Sequence, residues 1–194
     1  MNILLYLPGV IFVLIKQLGL VQTLLHLFNM LLMHAIIAYP FLFSHPQSYL
    51  AGAFDLSRQF LYKWTVNWRF VPEHIFLSKS FASGLLLCHL ILLAAFALRK
   101  WSTSDGGPIK VFLRAILRPF IPAAFVLPSG DGMTYLRMVF SRLTTTFPEI
   151  ITILFTCNLI GIVCARSLHY QFYSWYAQQA PFLAWRTRYP LPIK

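Results

Sequence analysis

The stretch Phe81–Leu98, FASGLLLCHLILLAAFAL, holds 18 residues without a formal charge and is followed at once by Arg99-Lys100-Trp101. An α-helix needs about 20 mostly apolar residues to cross the hydrocarbon core of a bilayer. Cations next to an interfacial aromatic residue are typical of the point where such a helix leaves the membrane. This stretch therefore predicts a transmembrane helix.

The composition of the whole chain agrees with a membrane protein. Hydrophobic residues make up 58% of the 194 residues, charged residues make up 11%, and the mean hydropathy is +0.67. Soluble domains carry roughly 25% charged residues, so these values argue against a soluble globular domain. Cys88, Cys157 and Cys164 all lie in apolar blocks, where a thiol behaves as a small hydrophobe, and we predict neither a disulfide nor a metal site.

The apolar blocks predict an all-α polytopic membrane protein with one membrane domain over residues 1–194. Pro8-Gly9 would kink the first span. An aromatic segment interrupted by Pro181, residues 171–185, is either an interfacial helix or a fifth crossing. The predicted spans are residues 1–15, 18–43, 81–98 and 149–165.

Loop charges predict the orientation. The formal net charge is +11, and the loop 99–148 carries seven Lys and Arg against four in the loop 44–80. By the positive-inside rule the loop 99–148 is cytosolic, which places the loop 44–80 and the stretch after Arg166 in the lumen. The basic residues form no dense run that could follow a phosphate backbone, so we expect no nucleic-acid partner.

The cytosolic loop contains a predicted basic amphipathic helix. Lys110, Arg114 and Arg118 recur every four residues among apolar side chains, and Pro119 would end the helix. Such a helix is suited to anchoring at an anionic membrane surface.

The first candidate binding segment lies in the luminal loop. If the segment is helical, Trp64 and Trp68 lie four residues apart on one face, and aromatic faces of this kind suit the C–H surfaces of a sugar ring. Arg58, Lys63 and Arg69 supply donors for a phosphate. The alternative interpretation is an interfacial aromatic belt with cations that reach toward water.

The second candidate segment follows the span 149–165. Arg166, His169, Tyr170 and Tyr173 have the spacing of one helix face, so a cation, an imidazole and two phenols would converge. A juxtamembrane arginine and histidine are costly unless they meet an anionic partner, and this favours a binding site.

The runs FDLSRQF (54–60), WTVNWRF (64–70) and CARSLHYQFYSWY (164–176), with the opening MNILLYLPG, resemble a known family. This is the family of endoplasmic-reticulum dolichyl-phosphate-mannose-dependent α-1,3-mannosyltransferases, called asparagine-linked glycosylation protein 3. The resemblance covers most of 1–185 and is weak across 102–149.

The resemblance implies a part of a GT-C type multi-spanning glycosyltransferase in the endoplasmic-reticulum membrane. Its partners would be dolichyl-phosphate-mannose as donor, the dolichyl-diphosphate-linked oligosaccharide as acceptor, and membrane lipids. The transfer would belong to the assembly of the N-glycan precursor, and no metal or other cofactor is implied.

Site roles also follow from the resemblance. Arg166 and His169 would bind the donor phosphate, and Trp64 and Trp68 would pack on sugar. Arg58 and Arg69 would hold a second anionic group. The full substrate-binding set is Arg58, Trp64, Asn67, Trp68, Arg69, Arg166, His169, Tyr170 and Tyr173.

The resemblance implies that the catalytic base lies outside this chain. The family's acidic residue is expected in a large first luminal loop, and the chain would be a central-to-C-terminal portion that begins after it. Asp55 and Glu73 are the remaining luminal acids, and we expect them to be structural partners of Arg58 or Arg69. The alternative function is a non-catalytic lipid-phosphate-binding or scaffold membrane protein derived from the enzyme.

Overall fold

The computed structural model describes residues 2–53, 61–117, 145–168 and 170–187, and the regular structure within them is entirely helical. The predicted all-α class is confirmed for these residues. The α-helices are α1 (Leu7–Leu18), α2 (Leu20–Ser44), α3 (Pro46–Ala53), α4 (Glu73–Phe76), α5 (Lys79–Phe96), α6 (Pro108–Leu117), α7 (Phe147–Val163) and α8 (Ala180–Arg186). Between them lie the 3₁₀ helices Asn2–Tyr6, Tyr62–Trp64, Thr103–Asp105 and Tyr170–Trp175 and the π-helical turn Ala97–Trp101.

Two described helices are long and apolar enough to cross a bilayer. α2 has 25 residues, and α5 continues through the π-helical turn as a 23-residue helix, Lys79–Trp101. At about 1.5 Å per residue, both exceed the roughly 30 Å of a hydrocarbon core. In their most apolar stretches, only 6% of the α2 residues and none of the α5 residues are buried within the protein, which leaves much of their surface for lipid. They coincide with the spans predicted at 18–43 and 81–98.

The other two predicted spans correspond to shorter apolar helices. Ile3–Leu18 comprises most of the first 3₁₀ helix together with α1, and α7 has 17 residues. Pro8 lies in the first turn of α1, where its missing N–H is not needed as a donor. It therefore starts the α-helix and does not kink it, contrary to our expectation. That these helices cross the membrane stays a prediction.

The first 3₁₀ helix and α1 pack closely against α7 at small residues. A Cβ atom on Gly9 would lie 3.1 Å from Cys157 Cβ, and one on Gly161 would lie 2.8 Å from Leu5 Cδ2. The Gly9 N–H donates to Cys157 Sγ at 3.2 Å, and the thiol donates to the Leu5 carbonyl at 3.1 Å. Helices in lipid associate through such close packing and polar contacts, because lipid tails are as apolar as leucine.

A polar network fastens the segment after α7 to the bundle. Asn158 is fully buried, and its Nδ2 lies 3.1 Å from both Gln179 Oε1 and the Trp175 carbonyl. Gln179 Nε2 donates to the same carbonyl at 2.8 Å and to the Tyr6 hydroxyl. The network joins the first 3₁₀ helix, α7 and the segment that follows α7.

Residues 170–187 run antiparallel to α7. Beyond the Asn158 network, the rings of Phe182 and Phe155 meet edge to face with centroids 5.6 Å apart. Arg186 then lines the same cavity as Glu149, near the start of α7. This course favours the fifth crossing over the interfacial helix, and the crossing itself stays a prediction.

A buried ion pair lies at the end of the bundle where α7 begins. Lys16 Nζ lies 2.5 Å from Asp105 Oδ2, and the two side chains are 2% and 7% exposed. Lys16 also donates to the Trp101 carbonyl at 3.1 Å. The Trp101 and Phe12 rings pack with centroids 5.4 Å apart. The end of α1 is thus joined to the turn that follows α5.

α6 is the predicted amphipathic helix. Val111 and Ala115 are buried, whereas Ile109 and Phe112 lie on an exposed apolar face. Arg114 Nη1 donates to the Asp105 carbonyl at 3.3 Å. Arg118 and Pro119 lie outside the described residues.

Candidate substrate-binding site

The two aromatic segments singled out in the sequence lie against each other near the end of α7 and the start of α5. The Val66 N–H donates to the Leu168 carbonyl at 3.0 Å. The hydroxyls of Thr65 and Ser167 are 2.9 Å apart. Residues that are about 100 positions apart in the sequence therefore form one surface.

Asn67 and Trp68 hold the backbone that follows α7. Asn67 Nδ2 donates to the Ala165 carbonyl at 2.7 Å, and Asn67 Oδ1 accepts the Leu168 N–H at 3.1 Å. Trp68 Nε1 donates to the same Ala165 carbonyl at 2.9 Å. The Trp68 ring meets Phe81 edge to face with centroids 5.6 Å apart. Here the polar groups of both side chains position protein backbone.

Arg166 reaches from the end of α7 to the segment before α5. Its Nε and Nη2 donate to the Phe76 carbonyl at 3.2 and 3.0 Å. The guanidinium carbon lies 5.4 Å from the centroid of the Phe76 ring, and Phe76 is completely buried. Fixing one edge of a planar guanidinium fixes the orientation of the whole group. The half-buried Arg166 is therefore held in place by the protein.

Arg69 is oriented in the same manner. Its Nη1 donates to the Lys63 carbonyl at 2.8 Å and the Tyr62 carbonyl at 3.3 Å, and its guanidinium carbon lies 5.3 Å from the centre of the Tyr62 ring. The Tyr62 hydroxyl reaches the carbonyls of Arg69 at 2.9 Å and Val71 at 2.7 Å and can donate to one of them at a time. These local contacts close the loop that carries Arg69.

A pair of aromatic rings links the two arginines. The ring centroids of Tyr62 and Phe76 are 5.3 Å apart, with Arg69 on Tyr62 and Arg166 on Phe76. We call these four residues the arginine–aromatic row. Cations that rest on aromatic rings and bind carbonyls need little reorganisation to meet an anion, and arginine forms charge-assisted bonds to phosphate. The row is suited chemically to a phosphate group.

The segment that carries Trp64 and Trp68 is not a continuous helix, so the condition for placing both on one helix face is not met. Tyr62–Trp64 form a single 3₁₀ turn, and Thr65 is extended with φ −75° and ψ 133°. Helix formation is lost because Thr65, Val66 and Asn67 bind the backbone and side chains after α7. The Trp64 side chain lies outside the described part of the structure.

The helix face predicted for Arg166, His169, Tyr170 and Tyr173 is wrong. α7 ends at Val163, residues 165–168 are not helical, and a new 3₁₀ helix starts at Tyr170. The backbone groups of 165–168 bind Asn67 and Trp68, which replaces the helical bonding pattern. Tyr170 and Tyr173 are exposed, with ring centroids 6.4 Å apart.

Three of the predicted site residues, Asp55, Arg58 and His169, lie outside the described residues. Glu73 is the exposed first residue of α4. It forms no ion pair with Arg69, which binds backbone carbonyls instead. The partnership of Glu73 with Arg69 is therefore absent, and Arg58, the other partner that we expected, lies outside the described residues.

Sequence reasoning missed Tyr62 and Phe76, the two rings between the arginines. No spacing rule connects Phe76 with Arg166, because their contact forms only when α5 and α7 pack. The aromatic content of the loop was the one available signal. Across the ranges that the structure describes, no cluster of three or more His, Cys, Asp or Glu residues could hold a metal ion.

Comparison with known protein families gives a match over the whole chain. The family model described as ALG3 protein matches residues 1–194. No solved structure matches the chain.

Curated relatives are similar over nearly all of the chain. The Dol-P-Man:Man(5)GlcNAc(2)-PP-Dol alpha-1,3-mannosyltransferase of Arabidopsis thaliana is 44% identical over 190 residues, which are 98% of this chain and 41% of the relative. The Homo sapiens protein of the same description is 40% identical over 95% of this chain and 38% of the relative. A Dictyostelium discoideum protein, described as a probable enzyme of this type, is 41% identical over 100% of this chain and 39% of the relative. The chain spans about two fifths of the length of these relatives.

Proposed function

The chain belongs to the ALG3 protein family, and from this premise we propose that it is a GT-C type mannosyltransferase. It moves mannose from dolichyl-phosphate-mannose to the dolichyl-diphosphate-linked oligosaccharide in an α-1,3 linkage, during assembly of the N-glycan precursor. The observation that carries the proposal is the similarity over nearly the whole chain to relatives described as enzymes of this reaction. The oriented cations of the arginine–aromatic row support it, because both substrates are anionic lipids.

We place the protein in the endoplasmic-reticulum membrane as a multi-pass protein. The two long apolar helices support a membrane location. The charge asymmetry of the loops supports a luminal position for residues 44–80 and for the residues directly after Arg166, with residues 99–148 in the cytosol. The chain would then cross back, so that Arg186 lies at the cytosolic end of α7. The arginine–aromatic row then lies at the luminal surface, where the head group of a dolichyl lipid would meet it.

In the proposed reaction, an acceptor hydroxyl attacks the anomeric carbon of mannose and the bond from that carbon to the donor phosphate breaks. A carboxylate takes the hydroxyl proton, and dolichyl phosphate leaves with additional negative charge. Arg166 and His169 would both bind this phosphate. Hydrogen-bond donors lower the reaction barrier most when they already point at the atoms where charge develops. The bonds to the Phe76 carbonyl fix the orientation of the Arg166 guanidinium in this way.

The other predicted binding residues receive supporting roles. Arg69 would hold a second anionic group, together with Arg58, and Trp64 would pack on sugar. Asn67 and Trp68 would position the backbone around Arg166 through their hydrogen bonds to Ala165 and Leu168. The Trp68 ring would also pack on sugar. Tyr170 and Tyr173, both exposed, would border the acceptor. Glu73 and Asp55 are the acids to test as the base.

The alternative is a non-catalytic protein that binds lipid phosphate or acts as a scaffold. One observation favours it: of the three described acids, only Glu73 lies near the arginine–aromatic row. Asp105 pairs with Lys16, and Glu149 caps the start of α7. Under this alternative the arginine–aromatic row would bind the lipid phosphate, and no mannose would be transferred.

A chimera separates the two functions. The chain would replace the matched 40% of the Kluyveromyces lactis relative, described as Dol-P-Man:Man(5)GlcNAc(2)-PP-Dol alpha-1,3-mannosyltransferase. In microsomes from cells without their own enzyme, the chimera should transfer mannose from dolichyl-phosphate-mannose to the lipid-linked acceptor. A chimera that reaches the membrane at normal level, retains donor lipid and transfers no mannose would support the alternative and reject the enzyme proposal.

A further inference from the structure

A cavity lies at the end of the bundle away from the arginine–aromatic row. Its volume is about 470 Å³, within the range of roughly 300–1,000 Å³ typical of ligand sites. It opens between α5 with its π-helical turn, α7 and α8. Its walls include Phe96, Lys100, Glu149, Ile153, Leu183 and Arg186. We call it the basic groove.

The basic groove follows one face of α7. Glu149, Thr152, Ile153, Thr156 and Leu159 all line it, at the spacing of neighbouring residues on one helix face. These ten residue steps correspond to about 15 Å along a helix axis. That length is about half of a 30 Å hydrocarbon core, or the depth of one leaflet.

The deep part of the groove is apolar although threonines line it. The Thr152 hydroxyl donates to the Pro148 carbonyl at 2.7 Å, and the Thr156 hydroxyl donates to the Thr152 carbonyl at 2.6 Å. Both hydroxyl protons are thus used within α7. Together with Phe96, Ile153 and Leu159, these residues make a wall that suits a hydrocarbon chain.

The mouth of the groove is positively charged. The side chains of Lys100 and Arg186 are exposed, and neither side chain forms a hydrogen bond or an ion pair with another described residue. Lys16 is neutralised by Asp105. The Glu149 carboxylate accepts the Thr146 N–H at 2.9 Å in the capping box of α7. Two cations against one acid remain for a ligand.

We infer that the basic groove binds one anionic glycerophospholipid, with an acyl chain along α7 and the phosphate head group at Lys100 and Arg186. A one-leaflet apolar wall below a cationic mouth matches the shape and charge of this amphiphile. The inference rests on the proposed bilayer position of α5 and α7. The site is separate from the donor site, because the groove starts at Glu149 and the row lies beyond Val163, at opposite ends of α7.

The test measures lipid retention by the purified 194-residue chain in detergent micelles doped with equal amounts of dioleoyl phosphatidylserine and phosphatidylcholine. Native mass spectrometry should find one phosphatidylserine retained in preference to phosphatidylcholine. Lys100→Gln and Arg186→Gln should each weaken retention about fivefold, the effect of one cation near an anionic lipid surface. Lys110→Gln is the matched control, since Lys110 is an exposed cation outside the groove, and it should leave retention unchanged.

A second variant tests the acyl-chain half of the site. Thr156→Phe fills the apolar wall without changing charge and should abolish retention of either lipid. Equal retention of the two lipids, or retention of phosphatidylserine that Lys100→Gln and Arg186→Gln leave unchanged, would overturn the inference. No mannose donor is present in this assay, so its result and the result of the transfer assay are independent.

Discussion

At the scale of single residues, Arg166 carries most of the proposed substrate chemistry. Its two bonds to the Phe76 carbonyl and its contact with the Phe76 ring orient the guanidinium before any ligand arrives. It follows the last turn of α7, so on the proposed topology it lies where a lipid phosphate meets water.

We predict that Arg166→Ala lowers mannose transfer by about tenfold to a hundredfold, because a hydrogen bond to a charged group is worth roughly 1.5–3 kcal/mol. Arg166→Lys should recover only part of the rate, since an ammonium lacks the planar fork that meets two phosphate oxygens together. The measurement is transfer from dolichyl-phosphate-mannose by the chimeric enzyme at several donor concentrations.

Arg99→Ala is the control for this prediction, because Arg99 is an exposed cation at the other end of the bundle. It should transfer at the parental rate. Thermal unfolding in detergent confirms that each variant folds. A folded Arg166→Ala variant that keeps the parental rate at all donor concentrations would remove Arg166 from the donor site.

At the scale of elements, the close crossing of α1 and α7 organises the bundle. Gly9 and Gly161 let the two segments approach, and the Cys157 thiol occupies the crossing with hydrogen bonds to both Gly9 and Leu5. Since Arg166 directly follows α7, the placement of the proposed phosphate site depends on this packing.

We predict that Gly9→Ala lowers the free energy of unfolding by about 1–2 kcal/mol, because the new methyl group would press on Cys157 Cβ, which cannot rotate away. Gly84→Ala in α5 is the matched control, since its Cβ would meet nothing within 4 Å. That substitution should leave stability unchanged or raise it slightly through helix propensity. Thermal unfolding in one detergent measures both variants. Equal stability of the two variants would show that the crossing can relax.

The ion pair between α1 and the turn after α5 yields a second prediction at this scale. Asp105→Asn should destabilise the protein by about 3–5 kcal/mol, because it leaves the Lys16 ammonium buried without a counter-charge. The double variant Lys16→Met with Asp105→Asn should be much less destabilised, since no buried charge remains. The same unfolding assay compares them, and a double variant as unstable as the single one would contradict a charge-based cause.

At the scale of the whole molecule, the two proposed sites lie at opposite ends of α7. The arginine–aromatic row lies where α7 ends, and the basic groove with the Lys16–Asp105 pair lies where it begins. On the proposed topology the first end faces the lumen and the second faces the cytosol. The luminal end would bind the dolichyl substrates, and the cytosolic end would bind a lipid of the cytosolic leaflet.

The orientation predicts the outcome of glycosylation mapping. A flexible acceptor insert near Gln47 should be glycosylated in microsomes, and one near Thr103 should not, because the transferase that modifies sequons acts in the lumen. None of the four native Asn residues begins an Asn-x-Ser/Thr sequon, so the parental chain gives no background. Modification only at Thr103 would reverse the orientation and move the arginine–aromatic row to the cytosolic side.

The sequence alone determined the helical class and the two long apolar helices, and it indicated the two segments of the candidate site. Hydropathy is sufficient for this because a bilayer requires every backbone group to be bonded within its own helix. Interruptions such as Arg99-Lys100-Trp101 therefore mark helix ends almost directly. The family resemblance added the proposed reaction, which periodicity could not supply.

Only the tertiary structure decided how the site is built. The spacing predicted a helix face for Arg166–Tyr173 and, if the segment were helical, one for Trp64–Trp68. Neither forms, because the two segments bind each other through Asn67, Trp68 and the backbone of 165–168. The bonds between Arg166 and Phe76 and the buried Lys16–Asp105 pair likewise join residues 85 or more positions apart. Local periodicity cannot report such contacts, because they form only after α1, α5 and α7 pack, and their stability comes from burial that no single segment provides.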